Sequence, residues 1–169
     1  MKANSPHTLH PMVEQITNNT TGWVGHHPRE NHEISKGQTF IAASEADVEA
    51  IEVYSNIVAR PGNVMMTIHN FDPQLNSWGP ALGSASVDLK NTDSGKWIAF
   101  NIPSLHLNKG KSYGFRLESH DSYIGVGEAA GSAKHPPFST GQEWQFSNNN
   151  KNGDAYSYFS LAFKVEVRG

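Results

Sequence analysis

The residues of this chain best equipped for chemistry are aromatic side chains with amides, imidazoles and carboxylates close by. Three stretches combine them: Trp23-Val24-Gly25-His26-His27-Pro28-Arg29-Glu30-Asn31-His32, then Asn70-Phe71-Asp72-Pro73-Gln74-Leu75-Asn76-Ser77-Trp78, then His120-Asp121-Ser122-Tyr123 taken with Trp144 and the Asn148–Asn152 run. A flat ring can face the C–H side of a pyranose while planar polar groups pair with its hydroxyls. The chemistry these stretches suit is therefore saccharide recognition. Trp78, between Ser77 and Gly79-Pro80, is the leading platform, with Trp23 and Tyr123 next. Asn76, His26, His120 and Asp121 are the polar partners. A tryptophan in a β-protein more often anchors a loop or closes a core, and Trp144 is read that way.

Metal and catalytic readings have less to rest on. His26, His27 and His32 are close in sequence, with Glu30 and Glu33 beside them. Zinc takes three or four such ligands, usually on regular elements, and adjacent histidines on an extended chain point apart. Solvated loop histidines are the plainer reading. A structural calcium ion suits a β-protein better, with Asp72, Asp88, Asp93, Asp121 and Asp154 as available carboxylates. No D-x-D-x-D-G series fixes its ligands, so the metal assignment stays open. A glycosidase needs two carboxylates across a cleft, and nothing in the spacing of Asp121, Glu128 and Glu143 joins them. No G-x-S-x-G occurs. Gly125-Val126-Gly127 and the later Gly131 do not have dinucleotide-loop spacing. There are no cysteines, which excludes disulfides, thiolate metal sites and a cysteine nucleophile. The expectation is a protein that is not an enzyme.

The elements that must position these residues read as strands. At 169 residues the chain can build one core. Its net charge of −3 carries no basic run, so nucleic acid is not a suitable partner. No stretch approaches a membrane span, and Met1 to His7 has no apolar leader. Residues 1–35 are polar and read as a tail followed by a long loop; residues 36–169 read as the folded domain. Strands are predicted at Gly37–Ala42, Ile51–Ile57, Val64–His69 and Ser84–Leu89, with a loop over 71–83. Trp97–Ile102 and Tyr113–Leu117 flank Asn108-Lys109-Gly110 and predict a hairpin. Short strands follow near Tyr123 and Glu143, a polar loop covers 148–154, and an unbroken alternation from Phe159 to Val167 predicts a mid-sheet strand. No segment holds a 3.6-residue period. The fold class is all-β: a two-sheet antiparallel β-sandwich with jelly-roll-like topology.

Gly37-Gln38-Thr39-Phe40, Ile51-Glu52-Val53-Tyr54, Trp97-Ile98-Ala99-Phe100, Leu107-Asn108-Lys109-Gly110-Lys111-Ser112-Tyr113-Gly114-Phe115-Arg116-Leu117, Phe138-Ser139-Thr140-Gly141-Gln142-Glu143-Trp144 and Leu161-Ala162-Phe163 carry a resemblance. In this order they resemble the jelly-roll accessory modules of bacterial secreted and surface proteins. The resemblance covers about residues 35–168. It implies a fold and a general binding role, and no specific sugar. The reading is a non-catalytic, lectin-like module, carbohydrate-binding, secreted or at the cell surface as part of a larger exported bacterial protein. Its partners would be a glycan or polysaccharide and other domains of that protein, with no membrane insertion. The alternatives are a structural or adhesion domain that binds protein, and a glycan-active enzyme.

Overall fold

Alternation along the chain decides the architecture. The computed structural model describes residues 9–168. These form thirteen strands in one antiparallel hydrogen-bonded sheet: β1 (Leu9–Gln15), β2 (Thr20–His26), β3 (Glu33–Ile41), β4 (Ala46–Arg60), β5 (Gly62–Asp72), β6 (Ser77–Leu89), β7 (Lys96–Leu107), β8 (Ser112–Glu118), β9 (Tyr123–Ala130), β10 (Glu143–Ser147), β11 (Asn150–Tyr156), β12 (Phe159–Leu161) and β13 (Phe163–Arg168). A 3-10 turn at Asn91–Asp93 leads into β7.

The sheet curls because several strands change partner part-way along. In β4, Ile51 pairs with Phe100 of β7 on one edge and Val165 of β13 on the other; from Ser55 onward the β13 edge passes to β9. In β3, Ile34 lies between Gly25 of β2 and Ser147 of β10, while Lys36 lies between Leu117 of β8 and Gln145 of β10. In β9, β2 holds one edge, and β4 and then β12 share the other. Strands that switch partners make corners. The curl encloses the main core, in which Phe40, Ile51, Ile68, Phe100, Phe115, Leu117, Phe163 and Val165 are almost fully buried. Each comes from the inward set of an alternating strand.

Inside the curl there is also a polar cluster. The ammonium of Lys36 lies 3.3 Å from Glu143 Oε2, 3.8 Å from Glu128 Oε2 and 2.8 Å from Gln145 Oε1. Lys36, Glu128 and Glu143 are all buried. Removal from water is the largest influence on Glu143, followed by its hydrogen bond to Glu128; these outweigh the attraction of Lys36 and push its carboxyl up to about 9. Glu143 Oε1 receives no hydrogen bond from a donor. Protonated, that carboxyl donates to Glu128.

Four sequence expectations change. The pairing joins the described strands into one curled sheet, so two separate sheets in jelly-roll order do not emerge from it. The described part of the expected tail and loop contains β1 and β2, paired with β13 and β9. A buried Gln15 in β1 and an outward Trp23 in β2 mask the alternation. Residues 1–8 lie outside the described residues, and the expected boundary at 35/36 falls within β3. The expected Trp97–Leu117 hairpin is not a pair: β7 pairs with β4, and β8 with β3 and β5. The connection between them is tied to β3 instead, through Gly110 N–H donating to Ala42 O and Ala42 N–H to Lys111 O. The expected loops at 71–83 and 148–154 are largely strand. Pro80 is tolerated because β6 is an edge strand, where a missing N–H costs no ladder bond.

Candidate functional site

The outer face of β3 and β8 carries glycines where other residues would fill the surface. Gly37 and Gly114 sit on neighbouring outward positions, and a Cβ on Gly114 would come within 2.6 Å of the Trp78 ring. The two bare backbones form a hollow for the indole. A tight turn delivers it: Asp72 Oδ1 accepts from Gln74 N–H at 2.9 Å and Leu75 N–H at 3.2 Å, and Asn76 closes the turn at φ 54°. Asparagine tolerates this left-handed region better than most side chains. Trp78 then stands opposite Phe71 across the β5–β6 ladder.

Around the indole is a second, smaller core of Phe71, Trp144 and Phe146, packed edge-on to it at centroid distances of 5.5–5.8 Å. His69 packs edge-on from the other side, at 5.6 Å. Its Nδ1 is 3.0 Å from the Gly79 carbonyl, which can only accept, so Nε2 is left to accept from Thr67 Oγ1 at 2.8 Å. These contacts fix the tautomer of the neutral ring. Burial is the largest influence and lowers its pKa, against the Gly79 contact. A base with a lowered folded pKa adds stability above its ordinary value, and that stability is lost as pH falls through the folded value. An NMR titration of His69 should give a midpoint below about 6.5; a midpoint above it would refute this account of the anchor.

Arg116 points outward from β8 beside this cluster, its guanidinium carbon 3.7 Å from the centre of the Phe146 ring. It is half-buried, and desolvation lowers its pKa, opposed by the nearby charge of Glu118. Arginine does not lose its proton in proteins, so the shift reads as a desolvation cost. No carboxylate among the described residues forms an ion pair with it. β11 completes the surround: Asn150 Oδ1 accepts from Gly153 N–H in a turn that projects Lys151 and Asn152. The resulting cleft of about 380 Å³ is lined by Asn76, Ser77, Trp78, Arg116, Phe146, Lys151 and Asn152.

The sequence-predicted residues therefore separate. Asn76 and Trp78 share this cleft. Trp78 is half-buried and wedged edge-on among rings, so it is an anchor and wall of the cleft and not the exposed flat platform expected. Trp23 and Tyr123 form a second feature, stacked on each other at 4.8 Å and 10° on the face of β2 and β9, with the His27 ring edge-on to Tyr123 at 5.3 Å. Trp23 and Tyr123 thus cover one another. Burial, with the charge of Glu30, raises the Tyr123 hydroxyl pKa. His26 and His120 face Glu33, at 3.7 and 3.2 Å. Asp121 is engaged as a brace: its Oδ1 accepts from Asn63 N–H at 3.0 Å and Ser119 Oγ–H at 3.3 Å, under Gly62. The platforms lie on strands and not on loops. Arg116 and Phe146 were not singled out by the sequence reading. Two glycines inside otherwise regular strands, with an outward arginine two residues beyond the second, were the available signal.

Among the described residues no group of three or more His, Asp or Glu side chains is placed to hold a metal ion, and no helix is long and apolar enough to cross a membrane.

The fold has solved relatives. Two structures of Cwp84 superpose on the chain. One, of the cysteine protease and lectin-like domains of Cwp84, a surface-layer-associated protein of Clostridium difficile, has a TM-score of 0.53 at 13% identity over 82% of this chain and 32% of that one. The other, a variant of the clostridial cysteine protease Cwp84 after propeptide cleavage, has a TM-score of 0.54 at 11% identity over 99% of this chain and 41% of that one. The chain thus spans a third to two-fifths of the Cwp84 structures it matches. No family model matches the sequence, and neither does any curated protein. At these identities the likeness to Cwp84 concerns fold alone.

Proposed function

We propose that this chain is a non-catalytic, lectin-like module that holds a saccharide in the cleft between Trp78, Phe146 and Arg116. The observation that carries the reading is the composition of that cleft: an aromatic wall, a stacked guanidinium, and the amides of Asn76 and Asn152 in one concave site. Aromatic surface for the sugar's C–H groups and planar donors and acceptors for its hydroxyls are what such a ligand needs. The all-β architecture and the lectin-like domain named for Cwp84 support it, and we assign the chain to the lectin-like part of that likeness and not the protease. The surface-layer association of Cwp84 supports placement on the outside of a bacterial cell, in an exported protein with further domains. No calcium is needed for the reading.

Asn76→Gly is the incisive test. Glycine adopts φ 54° without strain, so only the amide is lost. On a glycan array the wild-type domain should bind at least one saccharide saturably. Asn76→Gly and Asn152→Ala should each weaken that binding by about tenfold, the worth of one hydrogen bond. An array with no bound saccharide, or binding that both variants leave unchanged, would overturn the proposal.

A further inference from the structure

Arg116 is a half-buried charge that packs on an aromatic ring. The buried cation Lys36 is met by Glu128 and Glu143, and the exposed Arg168 is met by Glu49 at 2.8 Å. Arg116 is half-buried and meets no carboxylate within ion-pair distance among the described residues. Glu118, two residues along the same strand, influences it only at longer range. A partly desolvated charge without a partner is costly to keep. Lys151 lines the same cleft, and no carboxylate does. This local positive site lies on a protein whose net charge is −3, so it is a localised feature and not part of a basic surface.

From this pairing of an unmatched guanidinium with an aromatic cleft we infer that the saccharide is acidic, with a sugar carboxylate docking on Arg116. The inference rests on the saccharide reading above. Packing over the Phe146 ring at 3.7 Å holds the guanidinium at the cleft, where its N–H groups can donate. Two parallel N–H···O bonds from that edge match the two oxygens of a planar carboxylate. Lys151 adds charge without fixed geometry. Asn76 and Asn152 are left for the neutral hydroxyls, and the indole surface of Trp78 that lines the cleft for the ring's C–H groups.

The test uses matched pairs on one array: oligosaccharides of glucuronic, galacturonic and mannuronic acid and a sialylated oligosaccharide, each beside the same molecule with its carboxyls reduced to alcohols. The acidic member of at least one pair should bind about tenfold to a hundredfold tighter than its reduced counterpart, the range for hydrogen bonds to a charged group. Arg116→Gln should erase that difference. Arg116→Lys, which keeps the charge and loses the fork, should retain only part of it; Lys is also the variant less disturbing to the fold. Raising salt should weaken the acidic member alone. Equal binding of both members overturns this inference and leaves the saccharide reading standing. Binding of neither member of any pair, with a neutral glycan bound elsewhere on the array, also overturns it alone. No saccharide bound at all overturns both.

Discussion

Trp78→Ala should lower the stability of the domain by about 3–5 kcal/mol, as for a large aromatic side chain removed from a packed site. The indole fills the hollow over Gly37 and Gly114 and is the common neighbour of His69, Phe71, Trp144 and Phe146. Its loss leaves that small core without its centre. Gly114→Ala should act on the same contact from beneath, because its Cβ would lie 2.5 Å from indole Cζ3 and the ring, confined by four neighbours, cannot swing aside. Overpacking of this kind costs about 1–3 kcal/mol. The two substitutions share one cause, so they should not add. In the double variant the added methyl points into the space the indole left, and the Gly114→Ala penalty should largely vanish. Urea unfolding of the four proteins measures this cycle. Additive losses would show that the indole does not rest on Gly114. The binding consequence follows from the same geometry: whatever the cleft holds, Trp78→Ala removes one of its walls.

That wall shows how far the sequence could be read. Trp78 and Asn76 were legible because a tryptophan beside an Asp-Pro turn and a Gly-Pro pair is unusual, and the structure does put both on one cleft. Their companions come from β8 and the β10–β11 pair, far from Trp78 in sequence, and the pairing of β10 with β3 brings Phe146 over Arg116. No local pattern encodes that neighbourhood. The same limit explains the Trp97–Leu117 segment. Alternation specifies which face of each strand is buried, and both strands obey it, with Ile98, Phe100, Tyr113 and Phe115 all buried. It does not specify the partner strand, and a short polar connection can as readily cross between parts of a curled sheet as close a hairpin. Asp121 meets a related limit. A carboxylate beside a histidine and a tyrosine looks the same in sequence whether it faces a ligand or braces the Gly62 turn.

The largest dependence on pH should come from inside the curl. Glu143, with its pKa pushed up to about 9, carries a proton in the folded state, whereas the unfolded chain releases it near its ordinary 4.5. Folding therefore takes up a proton between those values. The stability from the protonated carboxyl is complete below about 4.5 and is lost as pH rises toward 9, at up to about 1.4 kcal/mol per pH unit. Glu166 beside Glu52 has the same sign, but it is largely solvated and screening reduces its weight. His69 has the opposite sign, losing stability as pH falls below its ordinary range, so its slope offsets part of that of Glu143 there. Glu143→Gln separates them. A neutral amide keeps the shape and a donor for Glu128 while removing the titration, so the urea midpoint of the variant should stay nearly level from about pH 7 to 9 while that of the wild-type falls. Equal slopes in both proteins would mean that Glu143 is ionised beside Lys36 in the folded state. Lys36→Met provides the complementary check. It leaves Glu128 and Glu143 facing each other without a cation, so its loss of stability should be small in acid, where both can be protonated, and steepen with rising pH. A loss independent of pH would assign Lys36 to packing alone.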